Sequence, residues 1–141
     1  MVLYENDKSI EFEIEGYQYP QASDLDYDAN WLLCRIKYTQ NGESEEYRDA
    51  CLQTVELSEL ADVLSDIIDG NDNGYISDFL EPYIRISIAR IEGQIMFQFH
   101  YFYDASKEVW RERKVVSSLD VNKSIEILHF LHRMVEMYPV R

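Results

Sequence analysis

Nine consecutive residues, Asp69-Gly70-Asn71-Asp72-Asn73-Gly74-Tyr75-Ile76-Ser77, match the start of a calcium-binding loop. Side-chain oxygens stand at positions one, three and five, a glycine at six and an aliphatic residue at eight. An EF-hand uses this arrangement to wrap a hard cation. Position twelve should supply a bidentate Glu. Leu80 stands there instead, Glu81 comes one residue late, and Pro82 with the β-branched run after it stops an exiting helix. The spacing therefore favours a helix C-cap followed by a polar turn. A calcium-responsive domain built on Asp69–Glu81 is the alternative.

Other candidates for chemistry are sparse. His129 and His132 lie three apart on a helical pattern, with Glu126 three residues earlier. Neighbours at i, i+3 can share a metal, but no third ligand stands at a matching spacing. No metal and no cofactor is expected. His100 falls on the strand face of Met96 and Phe102 and reads as structural. Cys34 and Cys51 sit beside Leu33 and Leu52 as small apolar fillers rather than nucleophiles. Only 5 glycines are present, with no Gly-x-Ser-x-Gly, P-loop or dinucleotide fingerprint. Asp24, Asp26 and Asp28, near Tyr17, Tyr19 and Tyr27, are acids in a loop. Paired-carboxylate catalysis needs a set separation in space, which spacing in sequence does not supply. No catalytic residue is assigned. A small enzyme using this loop or the two histidines is a further alternative.

The acids are more informative as arrays. Glu59, Asp62, Asp66 and Asp69 recur at helical spacing along one face, and no Lys or Arg occurs from Glu56 to Asp69. Like charges so placed cost a few tenths of a kcal/mol per pair, and the helix macrodipole disfavours those nearest the C-terminus. Glu11, Glu13 and Glu15 repeat the theme along a strand, in steps of about 7 Å. Such arrays are either a solvated face or a docking surface for a cationic protein, whose approach they would accelerate. Glu11, Glu13, Glu15, Asp24, Asp26, Asp28, Glu59, Asp62, Asp66 and Asp69 are the candidate partner-binding residues.

The elements that must position them follow from periodicity. Ile10, Phe12 and Ile14 alternate with the three glutamates, as in a half-buried strand. Val2–Tyr4 pairs with it through a turn at Asn6-Asp7-Lys8. A loop spans Gly16 to Asn30. Strands are expected at Trp31–Tyr38 and Glu45–Leu52, joined at the hairpin signal Asn41-Gly42. Thr54 is the expected N-cap of a helix with the stripe Leu57, Leu60, Leu64, Ile67 and Ile68, ended by Gly70. Tyr75–Leu80 is ambiguous. Strands follow at Tyr83–Ile91, Gln94–Tyr103 and Val109–Ser117, turning at Glu92-Gly93 and Asp104–Glu108. Asp120 caps a last helix with an inner face of Val121, Ile125, Leu128, Leu131 and Val135. Hairpins and two helices predict an α+β fold, a mainly antiparallel sheet of six to seven strands with both helices packed on it.

The chain has 141 residues, a length that fits one domain over 1–141. It carries 27 acidic against 13 basic side chains, a net charge of −14. The imbalance lies in residues 1–81, with 20 acids and 4 bases; residues 82–141 hold 7 acids and 9 bases. Direct nucleic-acid binding is disfavoured, because phosphate contacts need Lys and Arg. A basic protein is the natural partner. No apolar run reaches the length of a membrane span, and the N-terminus lacks the pattern of a secretion signal. Two cysteines make no disulfide framework. A cytoplasmic protein with no membrane contact is expected.

Four segments then suggest a family. Gly16-Tyr17-Gln18-Tyr19-Pro20, Tyr27-Asp28-Ala29-Asn30-Trp31-Leu32, Asp49-Ala50-Cys51-Leu52-Gln53-Thr54-Val55-Glu56-Leu57 and Phe79-Leu80-Glu81-Pro82 resemble, in this order, the WapI-type immunity protein family. The resemblance covers roughly residues 10–90 and fits the remaining length. It implies a small bacterial cytoplasmic protein that binds and inhibits the C-terminal domain of a cognate toxin, commonly a nuclease. Trp31, Leu52 and Pro82 resemble structural positions of that family, so no toxin-binding residue is carried over. A nuclease must hold phosphate and is often basic, which fits the acidic arrays.

Overall fold

The computed structural model describes residues 1–22, 27–103 and 111–141. The chain runs β1 (Val2–Glu5), β2 (Lys8–Tyr17), a 3-10 turn (Tyr27–Asn30), β3 (Trp31–Gln40), β4 (Glu43–Gln53) and α1 (Thr54–Asp69). It continues through β5 (Gly74–Ile76), β6 (Ile84–Ile91), β7 (Gln94–Tyr103), β8 (Arg111–Leu119) and α2 (Val121–Met137). The class is α+β, as expected. The described residues form eight strands rather than six to seven, in two antiparallel sheets ordered β1-β2-β3-β4 and β5-β6-β7-β8. The added strand is β5, too short at three residues to show a period. Four strands and a helix occur twice, a repeat of connectivity that no repeat of sequence announces.

Local chemistry accounts for the hairpins. Asn41 and Gly42 both have positive φ, 52° and 80°, and join Gln40 directly to Glu43. A two-residue loop of this kind follows the strand twist. Glu92-Gly93 repeats the geometry between Ile91 and Gln94. Strand alternation then sends Ile10, Phe12 and Ile14 with Cys34 and Ile36 inward on one sheet. Ile84, Ile86 and Ile88 with Phe97, Phe99 and Tyr101 point inward on the other. These residues join one core cluster with Leu57, Leu60, Leu64 and Ile67 of α1 and Ile127 and Leu131 of α2. Burying each such side chain contributes about 1.5–3 kcal/mol. Phe12 and Phe99 meet across the sheets with ring centroids 5.4 Å apart.

Two edges seal each other through side chains. Ser117 of β8 accepts the Tyr4 N–H at 2.8 Å and donates to the Tyr4 carbonyl at 2.5 Å. Glu5 accepts the Val116 N–H at 3.0 Å. A further bridge is ionic: Glu45 of β4 accepts Arg113 Nε of β8 at 2.6 Å and the hydroxyls of Tyr101 and Tyr103 of β7.

Both helices differ in detail from expectation. α1 begins at Thr54, with Gln53 as N-cap. Glu56 accepts the Gln53 N–H at 2.7 Å, and the Thr54 hydroxyl donates to Asn30 Oδ1 at 3.1 Å instead of capping. Gly70 ends the helix in the left-handed region at φ 78°. On α2, Asp120 caps through Lys123 N as expected, but the face is rotated. Ser124, Ile127 and Leu131 are buried, while Val121 is 58% exposed. Ser124 can face the core because its hydroxyl donates to the Asp120 carbonyl at 2.8 Å. No helix among the described residues is long and apolar enough to cross a membrane.

Candidate functional site

The candidate acids fall into separate groups. Glu11, Glu13 and Glu15 lie on the outer face of β2, but with bases among them. The Arg35 guanidinium reaches Glu13 at 2.6 Å, Glu11 at 3.4 Å, Glu15 at 3.8 Å and Glu46 at 3.0 Å. Arg48 adds Glu15 at 3.2 Å and Glu46 at 3.4 Å, and Lys37 stands opposite Glu11 in the ladder. The hydrogen bond from Arg35, more than its charge, holds the Glu13 carboxyl below the usual carboxylate range. This face is an ion-pair lattice of mixed sign.

Glu59, Asp62, Asp66 and Asp69 of α1 are all exposed. None has an ion pair among the described residues; Glu59 accepts only the Tyr75 hydroxyl, at 3.2 Å. The macrodipole problem at the end of this acidic helix has a local answer. Arg90 of β6 donates to the carbonyls of Ile67 and Ile68 at 3.0 and 3.2 Å. A cation there opposes the negative helix terminus.

The EF-hand-like segment is built otherwise. Asp72 Oδ1 accepts the N–H groups of Asn73 and Gly74 at 2.6 and 3.3 Å, an Asx turn. Gly74, the sixth position of the would-be loop, already pairs with Ala89 in the β5–β6 ladder. Among the described residues no group of three or more His, Cys, Asp or Glu is placed to hold a metal. Glu126 pairs with Lys123 at 3.0 Å, and His129 and His132 are exposed beside it. His100 contacts Glu112 at 3.0 Å and the Phe102 ring. Cys34 and Cys51 are fully buried free thiols. A hydrogen bond with Cys34, together with burial, pushes the Cys51 thiol far above its ordinary value, the reverse of nucleophile activation.

Asp28 is where the structure gathers functional groups. Asp24 and Asp26 lie outside the described residues. Asp28, exposed on the 3-10 turn, borders a cleft of about 460 Å³ at one end of the first sheet. Asp49 and Glu81 add two more carboxylates, and Tyr19, Trp31, Tyr83 and Leu80 supply apolar walls. Among the described residues no Lys or Arg lines it. All four segments that carry the family resemblance contribute to these walls.

Each wall has an identifiable support. Two β-bulges, after Ile14 in β2 and after Leu32 in the β3–β4 pairing, break the ladder at this end of the sheet. The second leaves Cys51 unpaired, so that both Cys51 and Leu52 turn inward. Gln18 N–H donates to the Trp31 carbonyl at 2.8 Å. The Arg141 guanidinium lies 3.8 Å from the Tyr17 ring centroid and donates to the carbonyls of Tyr19, Pro20, Ala22 and Ala29. Asn30 ties the Arg141 backbone to Thr54. On the opposite wall, Glu56 accepts the Leu80 N–H at 2.6 Å. The Asp49 carboxylate is fixed by the Tyr47 hydroxyl at 2.9 Å and the Ala50 N–H at 2.8 Å. Burial, then the charges of Glu81 and Asp49, raises the Tyr83 hydroxyl above its ordinary pKa. Asp49 and Glu81 are not among the candidate partner-binding residues, because neither belongs to a periodic array, although both lie in segments that carry the family resemblance.

Comparisons with known proteins bear on this geometry. The model of the Immunity protein WapI-like family matches residues 1–139. The chain belongs to that family. A comparison with curated proteins finds no match. Among solved structures, the chain is similar to WHY3 from Arabidopsis thaliana, with a TM-score of 0.53 at 6% identity, covering 98% of this chain and 86% of that one. WHY1 from Arabidopsis thaliana is similar at a TM-score of 0.51 and 8% identity, covering 98% and 88%. At such identities the likeness is one of fold alone. The membership of this WapI-like immunity protein family agrees with the resemblance read from the four segments.

Proposed function

We propose that this chain neutralises the C-terminal domain of a cognate toxin, a basic nuclease, by binding it in the cytoplasm and transforming no substrate itself. Membership of the immunity family over residues 1–139 carries the reading. The charge distribution supports it. The proposed contact surface includes residues of the α1 stripe Glu59, Asp62, Asp66 and Asp69, of the loop acids Asp24, Asp26 and Asp28, and of Glu11, Glu13 and Glu15, which need not all share one face. Arg35 and Arg48 already pair with Glu11, Glu13 and Glu15, so this array offers less net charge to a partner than the α1 stripe. Clustered charge of one sign raises the encounter rate with an oppositely charged protein and selects against acidic ones.

The experiment expresses the toxin domain encoded beside this chain's gene, with and without the chain, and follows growth and complex formation. Restored growth with a stable complex is the expected result. Undiminished toxicity, or turnover of a small molecule by the purified chain, overturns the reading. Reversing the α1 stripe to Lys should lower the association rate at least tenfold and flatten its salt dependence. An unchanged rate removes the stripe from the interface.

A further inference from the structure

The cleft beside Asp28 combines features that a merely solvated acidic face would not have. It is concave, with a volume of about 460 Å³, and both carboxylates and aromatic rings line it. Among the described residues, Asp28 and Glu81 have no ion pair and no base lines the walls. Trp31 is 92% removed from solvent, being 8% exposed, yet its indole N–H has no hydrogen-bond partner among the described residues. No fully buried polar side-chain atom among those residues lacks a partner. The indole N–H therefore reaches the surface, and Trp31 meets the surface at this cleft. A surface-reaching indole donor with no protein acceptor among the described residues, beside carboxylates without an ion pair there, is complemented by a ligand that brings both an acceptor and a positive charge.

We infer that the cleft is the anchoring pocket for a basic side chain, Arg or Lys, projecting from a peptide segment of the toxin domain. The carboxylates of Asp28 and Glu81 pair with the cation, and Tyr19 and Tyr83 flank it as aromatic faces. A main-chain carbonyl of the same segment accepts from the Trp31 indole. Leu80, 58% exposed at the rim, covers the aliphatic stem. Asp49, already held by Tyr47 and Ala50, adds charge without moving. A concave site that a partner's side chain fills, and so desolvates on binding, is where a few residues come to dominate an interface. The inference rests on the proposed neutralisation and specifies where on the chain it occurs.

The test measures binding of the cognate toxin domain to the full chain by calorimetry at several salt concentrations. Three proteins are compared: the wild type, the double variant Asp28→Asn/Glu81→Gln, and Leu80→Lys, which places a rival cation at the rim. Urea midpoints within error of the wild type establish that both variants fold. In the wild type, the Trp31 indole NMR resonance should shift on complex formation. Asp28→Asn/Glu81→Gln should weaken binding at least tenfold and reduce its salt dependence, and Leu80→Lys should weaken it at least as much. Wild-type affinity in both folded variants, or an unmoved Trp31 resonance, overturns the pocket while leaving neutralisation standing. If the wild type itself fails to bind, the functional reading falls and the pocket falls with it. A variant that does not fold is replaced by Glu81→Gln alone, judged by the same affinity criterion.

Discussion

The Glu56 carboxylate accepts the Leu80 amide N–H at 2.6 Å and the Gln53 amide N–H at 2.7 Å, joining the first turn of α1 to the loop that walls the cleft. One side chain, 9% exposed, therefore satisfies two backbone donors from distant segments. Only a carboxylate offers two equivalent acceptors at this reach. Glu56→Gln leaves an amide NH₂ facing one of those donors. A buried unmet donor costs about 1–3 kcal/mol, and the urea midpoint should fall accordingly. Hydrogen exchange should quicken at the Leu80 or Gln53 amide. A midpoint equal to the wild type's would show that Glu56 does not hold the loop.

Glu45 and Arg113 tie the two sheets together at the opposite end of β4. Arg113 Nε lies 2.6 Å from Glu45 Oε1, and its guanidinium sits 5.3 Å from the Tyr38 ring centroid and 5.4 Å from that of Tyr103. The pair is half-buried, so part of its Coulomb energy is screened. Arg113→Met and Glu45→Gln should each destabilise by about 1–2 kcal/mol, with a coupling of about 1 kcal/mol in the double-mutant cycle. Arg113→Lys should not rescue, because a point charge loses both the planar stacking and the second contact to Glu45 at 3.3 Å.

Alkaline pH should unfold the protein. Burial, more than the neighbouring Glu45, raises the Tyr101 hydroxyl well above its ordinary value of 10. Burial likewise raises Tyr47 and Tyr75, next to Asp49 and Glu59 respectively. The folded pKa values exceed the unfolded ones. Above pH 10 the unfolded chain releases protons that the folded chain retains, so stability is full below that point and declines as pH rises past it. Urea midpoints taken between about pH 8 and about pH 11 should fall steeply over the upper part of that range. Tyrosinate absorbance of the folded protein should lag behind that of the unfolded chain.

Periodicity made most of the fold legible. Ile10, Phe12 and Ile14 announced their strand face, and Asn41-Gly42 and Glu92-Gly93 announced the hairpins, because local sterics alone decide such features. The division into two sheets was not legible. The edge strands β1 and β8, from opposite ends of the chain, meet through the side chains of Glu5 and Ser117 rather than through a ladder. The acidic arrays were visible as counts, but the pairing of the β2 glutamates with bases was not. Arg35 reads as one residue of β3, and only strand register sets it among Glu11, Glu13 and Glu46. The cleft was the least legible feature. Asp28, Asp49 and Glu81 come from three segments that meet through two bulges, the Glu56 bond and the Arg141 contacts.

Arg141 offers a test of how far the cleft depends on its support. Its guanidinium spends its donors on main-chain carbonyls of the segment carrying Tyr19 and of Ala29, next to Asp28 in sequence, while stacking on Tyr17. Charge-assisted bonds to carbonyls together with a stacked ring amount to about 1–3 kcal/mol. Arg141→Ala should lower the urea midpoint by that amount. Its larger effect should be local, because every released carbonyl belongs to residues 19–29, beside the cleft. Amide exchange should rise in residues 17–22 and 28–30 and remain at wild-type levels in the β6–β7 ladder. Toxin binding should weaken through a less ordered wall, with the salt dependence of the wild type, since no cleft carboxylate is removed. A uniform loss of protection across both sheets would instead make Arg141 a support of the whole fold rather than of this wall.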